Sequence, residues 1–315
     1  MTSASGLAKS VQERLRNKSR ESREDFQRTL TRFANERFLY RLGKSSVRER
    51  FILKGASLLT VWLPDPYRAT RDIDVLISGR TDDEEIRALL TMICEVHCPE
   101  DAMHFDISNL VVESIRDDAS YSGKRARFQS TLGNIRIAMQ LDLGVGDALT
   151  IPPAEIDYPT ILKTTPAPAL LAYSRETTVA EKFEAIVKLD TRNSRMKDFH
   201  DLWALSEAFE FDGETLQHAI AACFERRANP WTTEIPAPLT TAFYKLSELE
   251  ARWRNYATAG AILRQPPLVF EVVGERVIAF LAPIRTAIIA EQRFNSAWPV
   301  GGTWTSVLHA TSEAR

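Results

Sequence analysis

The sequence predicts an α+β protein, with an α/β first half that contains a mixed sheet and an all-α second half. Four strand-like runs fall between residues 70 and 146, and helical periodicity dominates from residue 175 onward. A proline-rich stretch at 149–174 separates these patterns and predicts an extended linker or a loop draped over the protein. The predicted parts are a basic helical segment (1–50), an α/β core (51–172), a helical domain (173–293) and a weakly ordered tail (294–315).

Composition narrows the class of protein. The 315 residues are 44% hydrophobic and 26% charged, with a net charge of -2, as expected for about two globular domains. Three cysteines argue against a disulfide framework, and the polar N-terminus lacks the apolar core of a signal peptide. The longest apolar run, "VIAFLAPI", is far shorter than a membrane span. We therefore expect a cytoplasmic protein with no membrane contact.

The N-terminal segment is the one strongly basic part of the chain. Residues 10–42 are predicted to be helical, and Lys9 to Arg50 contain thirteen Lys and Arg against six Asp and Glu. Such a segment is a candidate surface for RNA phosphates, although a solvated helix face with mixed charges is an equally simple explanation. The predicted face consists of Arg16, Arg20 and Arg23, extended by Arg28, Arg32 and Arg41.

Two aspartates interrupt the β-branched run "RATRDIDVLISG". Because side chains alternate along a strand, Asp72 and Asp74 share one face while Ile73 and Val75 point into the core. Neighbouring carboxylates repel each other unless a cation lies between them. The run therefore predicts either a cation site or a solvated edge strand with two exposed acids.

A third carboxylate, Asp142, lies in the strand-like run "IRIAMQLDLGVG", which follows the hairpin turn signal "LGN". If this strand lies beside the Asp72 strand, all three carboxylates converge on one face. Such a cluster suits Mg²⁺, which prefers carboxylate oxygen. A pair of Mg²⁺ ions would stabilise the attacking and leaving oxygens of a phosphoryl transfer.

A glycine and a serine open the helical stretch "KGASLLTVW". Gly55 lets the backbone approach a ligand, and the free N–H groups of a helix start, together with the Ser57 hydroxyl, could bind phosphate. A simple turn before a helix is the alternative explanation.

Two predicted helices of the second half contain a lysine and two aspartates that could form part of a phosphate site. "TTVAEKFEAIVKLD" has a capping box signal at Thr178 and predicts an apolar stripe with Lys182 beside it. On the next helix, Asp198 and Asp201 are three residues apart and share a face. A lysine held by carboxylates can neutralise nucleotide phosphates, whereas a surface ion-pair network is the alternative.

These motifs, in this order, resemble those of the AbiEii/AbiGii nucleotidyltransferase-type toxins, which include the MenT toxins. The resemblance extends from Phe51 to Phe209, through "KGAS", "RDID", "LDLGVGDAL", "VAEKFEAIVKL" and "RMKDFHDLWAL". It implies a minimal polymerase-β-like nucleotidyltransferase core followed by a helical domain. It also implies a partner antitoxin encoded beside the toxin, and transfer of a pyrimidine nucleotide from an NTP to the 3′ end of tRNA, which blocks translation.

The resemblance also implies residue roles. Asp72 and Asp74 would hold two Mg²⁺ ions, and Asp142 would hold the catalytic one and help to deprotonate the attacking hydroxyl. Lys182 would neutralise the triphosphate, with Asp198 or Asp201 orienting it. The implied phosphate-binding residues are Gly55 and Ser57, to which we add Lys54 and Arg71. The chain has Gly55-Ala56 where the family pattern has a glycine pair.

Two other functions fit the same motifs. The acceptor could be a protein hydroxyl or a small molecule, although neither needs a basic segment. A nucleic-acid-binding or partner-binding protein without turnover is the third interpretation, but clustered carboxylates bring no advantage to such a protein.

Overall fold

A computed structural model describes residues 4–63, 70–117, 121–146, 149–259 and 266–306. The chain divides into two compact units. The first contains residues 1–148 and 152–173, and the second contains residues 149–151 and 174–315. The basic N-terminal segment thus belongs to the first unit.

A mixed seven-stranded sheet organises the first unit, with the order β3-β4-β5-β2-β1-β7-β6. Neighbouring strands are antiparallel except for β2–β5 and β1–β7, which are parallel. The β2–β5 pair fulfils the condition under which Asp72, Asp74 and Asp142 would share one face, since it places their strands side by side. The strands are β1 (Phe51–Lys54), β2 (Ile73–Ile77), β3 (Met103–Asp117), β4 (Tyr121–Leu132), β5 (Ile135–Val145), β6 (Ala154–Asp157) and β7 (Ala169–Ala172).

The predicted helical segment near the N-terminus consists of two helices. Arg23 adopts a left-handed backbone (φ 53°), and the Asp25 carboxylate caps the next helix by accepting from the Arg28 N–H at 3.1 Å. Residues 10–42 are thus helical as predicted, apart from the short break at 23–25 where this cap begins the second helix. The helices of the first unit are α1 (Ala4–Ser22), α2 (Phe26–Lys44), α3 (Ser57–Trp62) and α4 (Asp83–Cys94).

One face of the sheet forms the core of the first unit. Helix α2 packs against β5 and β7, and the Phe38 ring lies 5.9 Å from that of Phe105 and 5.7 Å from that of Phe128. On β5, Met139 and Leu141 are buried on this side. Because side chains alternate, Asp142 lies on the opposite, more polar face of the sheet.

The proline-rich stretch is not an extended linker; the part between its two strands is a loop held against α2, as the alternative prediction had it. It supplies two strands of the first sheet, β6 and β7, and the Tyr158 N–H donates to the Pro168 carbonyl at 2.8 Å just outside their hairpin. Prolines lie outside the four-residue strands, where they cost no ladder hydrogen bonds.

The second unit is largely helical but also contains a small sheet of order β10-β9-β8. The side chain of Trp298, on β9, is fully buried and donates to the Ser206 carbonyl at 2.7 Å. The expected weakly ordered tail of 294–315, from which Trp298 and Trp304 were excepted, thus contains β9 and β10 in its described part, and residues 307–315 lie outside the described residues. The elements of the second unit are α5 (Arg175–Leu189), α6 (Met196–Ala208), β8 (Phe211–Asp212), α7 (Gly213–Arg226), α8 (Thr241–Tyr244), α9 (Ser247–Ala257), α10 (Phe270–Ile289), β9 (Ser296–Trp298) and β10 (Thr305–Ser306).

Among the helices in the described ranges, none combines the length and the apolar character needed to cross a lipid bilayer.

A buried carboxyl group anchors the loop before β7 to helix α2. Glu36 is 1% exposed, contacts Arg37 at 3.0 Å and accepts from the Ile161 N–H at 2.6 Å and from the Thr165 hydroxyl at 3.3 Å. Burial outweighs these favourable contacts and raises the pKa of Glu36 from 4.5 to about 7.

This pKa makes stability depend on pH. Between pH 4.5 and about 7 the folded protein binds more protons than the unfolded chain, so the free energy of unfolding falls as pH rises through this window. We expect the Glu36 contribution to amount to at most ~3 kcal/mol. Urea unfolding at pH 5, 6 and 7 should show a smaller pH dependence for Glu36→Gln than for the wild type. Replacing the exposed Glu84 by Gln should leave the dependence unchanged; equal dependence in all three proteins would contradict the assignment.

Candidate active site

Four charged side chains form one row across the polar face of the first sheet. In register, Arg125 of β4 pairs with Asp142 of β5, Asp142 with Asp74 of β2, and Asp74 with Lys54 of β1. Directly paired residues project to the same face of a sheet. The row therefore places two carboxylates side by side, each with a cation on its other flank.

Arg125, the cation at the β4 end of the row, binds Asp142 through two nitrogens of its guanidinium group. The Arg125 Nε lies 2.7 Å from Oδ1 of Asp142, and a terminal nitrogen of Arg125 lies 2.7 Å from Oδ2. These hydrogen bonds, together with the negative charges of Asp142 and Asp72, raise the pKa of the Arg125 guanidinium. Both side chains are partly exposed, at 29% and 22%, so the pair remains accessible to ions from solvent.

The Asp74 carboxylate lies against the backbone of Gly55. This glycine has a φ of 71°, and a Cβ atom built on it would lie 2.3 Å from Oδ2 of Asp74. Both the backbone conformation and the close approach of Asp74 therefore exclude a side chain at position 55.

The other predicted site residues of the first unit, and the surroundings of Lys54, are as follows. Ser57 is the first residue of α3 and is buried, while Lys54 is 9% exposed with its Nζ 5.5 Å from the centre of the Tyr173 ring. Arg71 is exposed, and its carbonyl accepts from the Asn35 amide at 3.0 Å. Asp72 directly precedes β2 and is half-buried.

The donor chemistry and register of the row fit a divalent cation. Asp74 and Asp142 supply carboxylate oxygens on adjacent strands, which suits a hard ion such as Mg²⁺. The side chains are not arranged as a ligand set, since the described part of the chain has no group of three or more His, Cys, Asp or Glu able to hold a metal. Both oxygens of Asp142 are instead engaged by Arg125.

The second unit contains a buried cluster of charges. The Lys182 Nζ on α5 donates to Oδ1 of Asp198 at 3.1 Å and to Oδ2 of Asp201 at 2.6 Å, both on α6. Asp198 also contacts the Arg195 Nε through its other oxygen, at 2.6 Å. Lys182 thus contacts both aspartates that were alternatives for its partner, and Arg195 adds a second cation to the cluster.

The burial of this cluster contradicts the interpretation as a surface ion-pair network. Lys182 is 8% exposed, and Asp198 and Asp201 are 1% and 0% exposed. Burial favours a raised pKa at Asp198, but the charges of Lys182 and Arg195 outweigh it and lower the pKa of this carboxyl group.

The basic segment is less uniform than predicted. Arg16 and Arg20 are exposed on α1, but Arg23 follows the end of this helix rather than extending its face. Arg41 is 3% exposed and forms two hydrogen bonds to the Asp101 carboxylate, at 2.7 and 3.1 Å, so it cannot extend an RNA-binding surface. Arg32 contacts Glu24 at 2.7 Å. Of the predicted arginine face, Arg16 and Arg20 thus remain exposed on α1, where Arg16 also contacts Glu13 at 3.5 Å.

Two residues of these clusters, Arg125 and Arg195, were not among the sequence predictions. The sequence does contain a signal for Arg125. The two-residue turn at 133–134 pairs residues at equal distances on either side, and Arg125 and Asp142 are both eight positions from it. Arg195 precedes its helix, and no periodicity marks it.

Comparison with known proteins decides the family. The sequence pattern described as "Nucleotidyl transferase AbiEii toxin, Type IV TA system" matches residues 37–274, more than half of the chain. The chain belongs to the AbiEii toxin family. The resemblance to this family is thereby confirmed, and the toxin–antitoxin system named in the description of these nucleotidyltransferases implies an antitoxin partner.

Two crystal structures from Helicobacter pylori are similar to this AbiEii toxin. One is a candidate nucleotidyltransferase, with 13% identity, a TM-score of 0.46, and coverage of 84% of this chain and 99% of that one. The other is JHP933, with 12% identity, a TM-score of 0.43, and coverage of 82% and 94%. No curated protein matches the sequence.

The buried cluster of the AbiEii toxin generates a stability prediction. Lys182→Met leaves the carboxylates of Asp198 and Asp201 without the ammonium group, and we expect the free energy of unfolding to fall by ~3–5 kcal/mol. Lys188→Met, on the exposed face of the same helix, is the matched control and should change it by less than ~1 kcal/mol. Adding Asp201→Asn to Lys182→Met should restore part of the loss in urea unfolding. Equal stabilities of the two lysine variants would show that the cluster contributes nothing.

Proposed function

We propose that this AbiEii toxin is a cytoplasmic, Mg²⁺-dependent enzyme that transfers a nucleotide from an NTP, preferably a pyrimidine NTP, to RNA. The proposed acceptor is the 3′ end of tRNA, whose modification blocks translation. The observation that carries the proposal is the row of Asp142 and Asp74 between Arg125 and Lys54, with Gly55 beside it. A cognate antitoxin would neutralise this activity.

In the proposed reaction, the terminal hydroxyl oxygen of the RNA attacks the α-phosphorus of the NTP, and pyrophosphate leaves. Asp72 and Asp74 would hold two Mg²⁺ ions, and Asp142 would hold the one next to the hydroxyl. The bound metal would supply positive charge to the phosphates and lower the pKa of that hydroxyl. Asp142 would help to remove the hydroxyl proton.

The triphosphate requires cations and donors from the protein. We assign this task to the backbone at Gly55, the Ser57 hydroxyl, Lys54, Arg71 and Lys182. Asp198 and Asp201 would orient Lys182, because both hold its ammonium group within 3.1 Å.

The choice of RNA as acceptor is supported by charge. Residues 4–23 contain six Lys and Arg but two Glu, and Arg16 and Arg20 are exposed on α1. A protein hydroxyl or a small molecule would not need this surface.

One labelling experiment tests the proposed activity. The protein is incubated with each α-³²P-labelled NTP, Mg²⁺ and either total RNA or total cell protein. We expect label in the tRNA fraction with a pyrimidine NTP, and none when EDTA is present. Label in the protein fraction alone would replace RNA by a protein acceptor, and the absence of any labelled product would favour a binding protein without turnover.

The carboxylate row predicts the effect of its removal. Asp74→Ala and Asp72→Ala should each lower the rate of nucleotide transfer by more than ~10²-fold, because each removes a preorganised charge next to the reacting phosphate. Circular dichroism should show an unchanged fold. Glu155→Ala, an exposed carboxylate on β6 of the same sheet, is the control and should retain wild-type rates. More than about a tenth of the activity in either aspartate variant would contradict the assignment.

The surface of α1 predicts a salt dependence. If Arg16 and Arg20 contact phosphates, the double variant Arg16→Gln/Arg20→Gln should flatten the log–log slope of RNA affinity against salt by roughly 1.5. Its KM for the NTP should not change. Arg254→Gln, exposed on α9, should leave the slope as in the wild type. An unaltered slope in the double variant would mean that RNA binds elsewhere.

A further inference from the structure

The Arg125–Asp142 pair occupies the carboxylate to which the proposed function assigns the catalytic metal. Arg125 donates to both oxygens at 2.7 Å, along the edge of the carboxylate on which a chelated cation would lie, and the Gln140 amide also donates to Oδ1 at 3.4 Å. A divalent cation that binds both oxygens of Asp142 along this edge must therefore displace at least one arm of the guanidinium group.

We propose that Arg125 and the divalent cation bind the Asp142 carboxylate alternately, which makes Arg125 a positioning residue for the metal ligand. The inference rests on the metal role of Asp142 in the proposed function. In the metal-free protein, Arg125 neutralises Asp142 beside Asp74 and holds its two oxygens towards the polar face of the sheet.

The position of the pair favours such an exchange. Arg125 and Asp142 are 29% and 22% exposed, so ions can reach them and the ion pair is screened by water. A fully buried pair would be far harder to open, since separating it leaves uncompensated charge. The negative charges of Asp74 and Asp72 lie on the same side, where a cation with two positive charges gains more than a guanidinium with one.

The neighbouring arginine on the same strand provides a matched control. Arg127 projects from the same face of β4 two residues further along, and it pairs with Glu113 and with the Gln140 side chain rather than with Asp142. Removal of Arg127 changes the net charge of this face by the same amount as removal of Arg125. The two variants therefore separate direct competition for Asp142 from a general change in electrostatic potential.

The test measures metal binding without nucleotide or turnover. Mn²⁺ is titrated into the full-length wild type and into Arg125→Met, Arg125→Lys, Arg127→Met and Asp142→Asn, and free Mn²⁺ is followed by electron paramagnetic resonance. Arg125→Met should bind Mn²⁺ about three- to tenfold more tightly than the wild type, because the competing ion pair is gone. Arg127→Met should stay within about twofold of the wild type. Arg125→Lys keeps the charge but loses the two-pronged contact, and it should also bind Mn²⁺ more tightly.

The outcomes separate this inference from the proposed function. If Asp142→Asn weakens Mn²⁺ binding but Arg125→Met and Arg125→Lys bind as the wild type does, the metal role stands and the competition is refuted. If Asp142→Asn binds Mn²⁺ as the wild type does, or if no protein binds Mn²⁺, both the metal role and the competition are refuted. If Arg125→Met does not fold, the Arg125→Lys affinity decides, and a value equal to that of the wild type overturns the inference.

Discussion

The repulsion between two carboxylates placed side by side is the constraint on which the first unit depends. Asp74 and Asp142 are register neighbours on β2 and β5, and a sheet with this pair requires positive charge nearby. Arg125 and Lys54 supply it within the protein, one on each flank of the pair. The rest of the unit maintains this geometry: apolar side chains on the other face hold the strands to α2, and a glycine makes room for Asp74.

The second unit also places two carboxylates close together, but there the charged side chains are buried. Asp198 and Asp201 are almost completely buried, and Lys182 lies between them with Arg195 at the edge. Burial strengthens each attraction but raises the cost of losing a partner. In the charged row of the first unit, Arg125 and Asp142 form a partly exposed pair, whereas Lys182 of the second unit lies in a buried cluster that favours one fixed arrangement.

Much of this organisation could be predicted from the sequence, and the failures have physical causes. Strands β2 to β5 follow from alternation and from the turn signal, and the family motifs led to Asp74, Asp142 and Lys182. Strands β6 and β7 were missed because four residues between prolines are too short to show a period, and their pairing with β1 is a long-range contact. The start of α5 was placed at Thr178, but Ser174 caps the helix by accepting from the Thr177 N–H. The burial of Lys182 and Arg41 was missed because long charged side chains become buried only where tertiary partners exist.

The turn at 133–134 has a consequence for how changes in the gene would affect the protein. Gly133 has a φ of 60°, and this tight connection sets which residue of β4 faces which residue of β5. If one residue were inserted at this turn and the turn did not lengthen, the pairing of β4 with β5 would shift by one residue. Arg125 would then lie opposite Leu141, and the polar side of one strand would lie on the apolar side of the other. A single codon inserted at the turn, eight residues from Arg125 and Asp142, would then separate the members of the charged row, although every charged residue would still be present in the chain. Substitution at the row and insertion at the turn are therefore two separate genetic routes to the same loss.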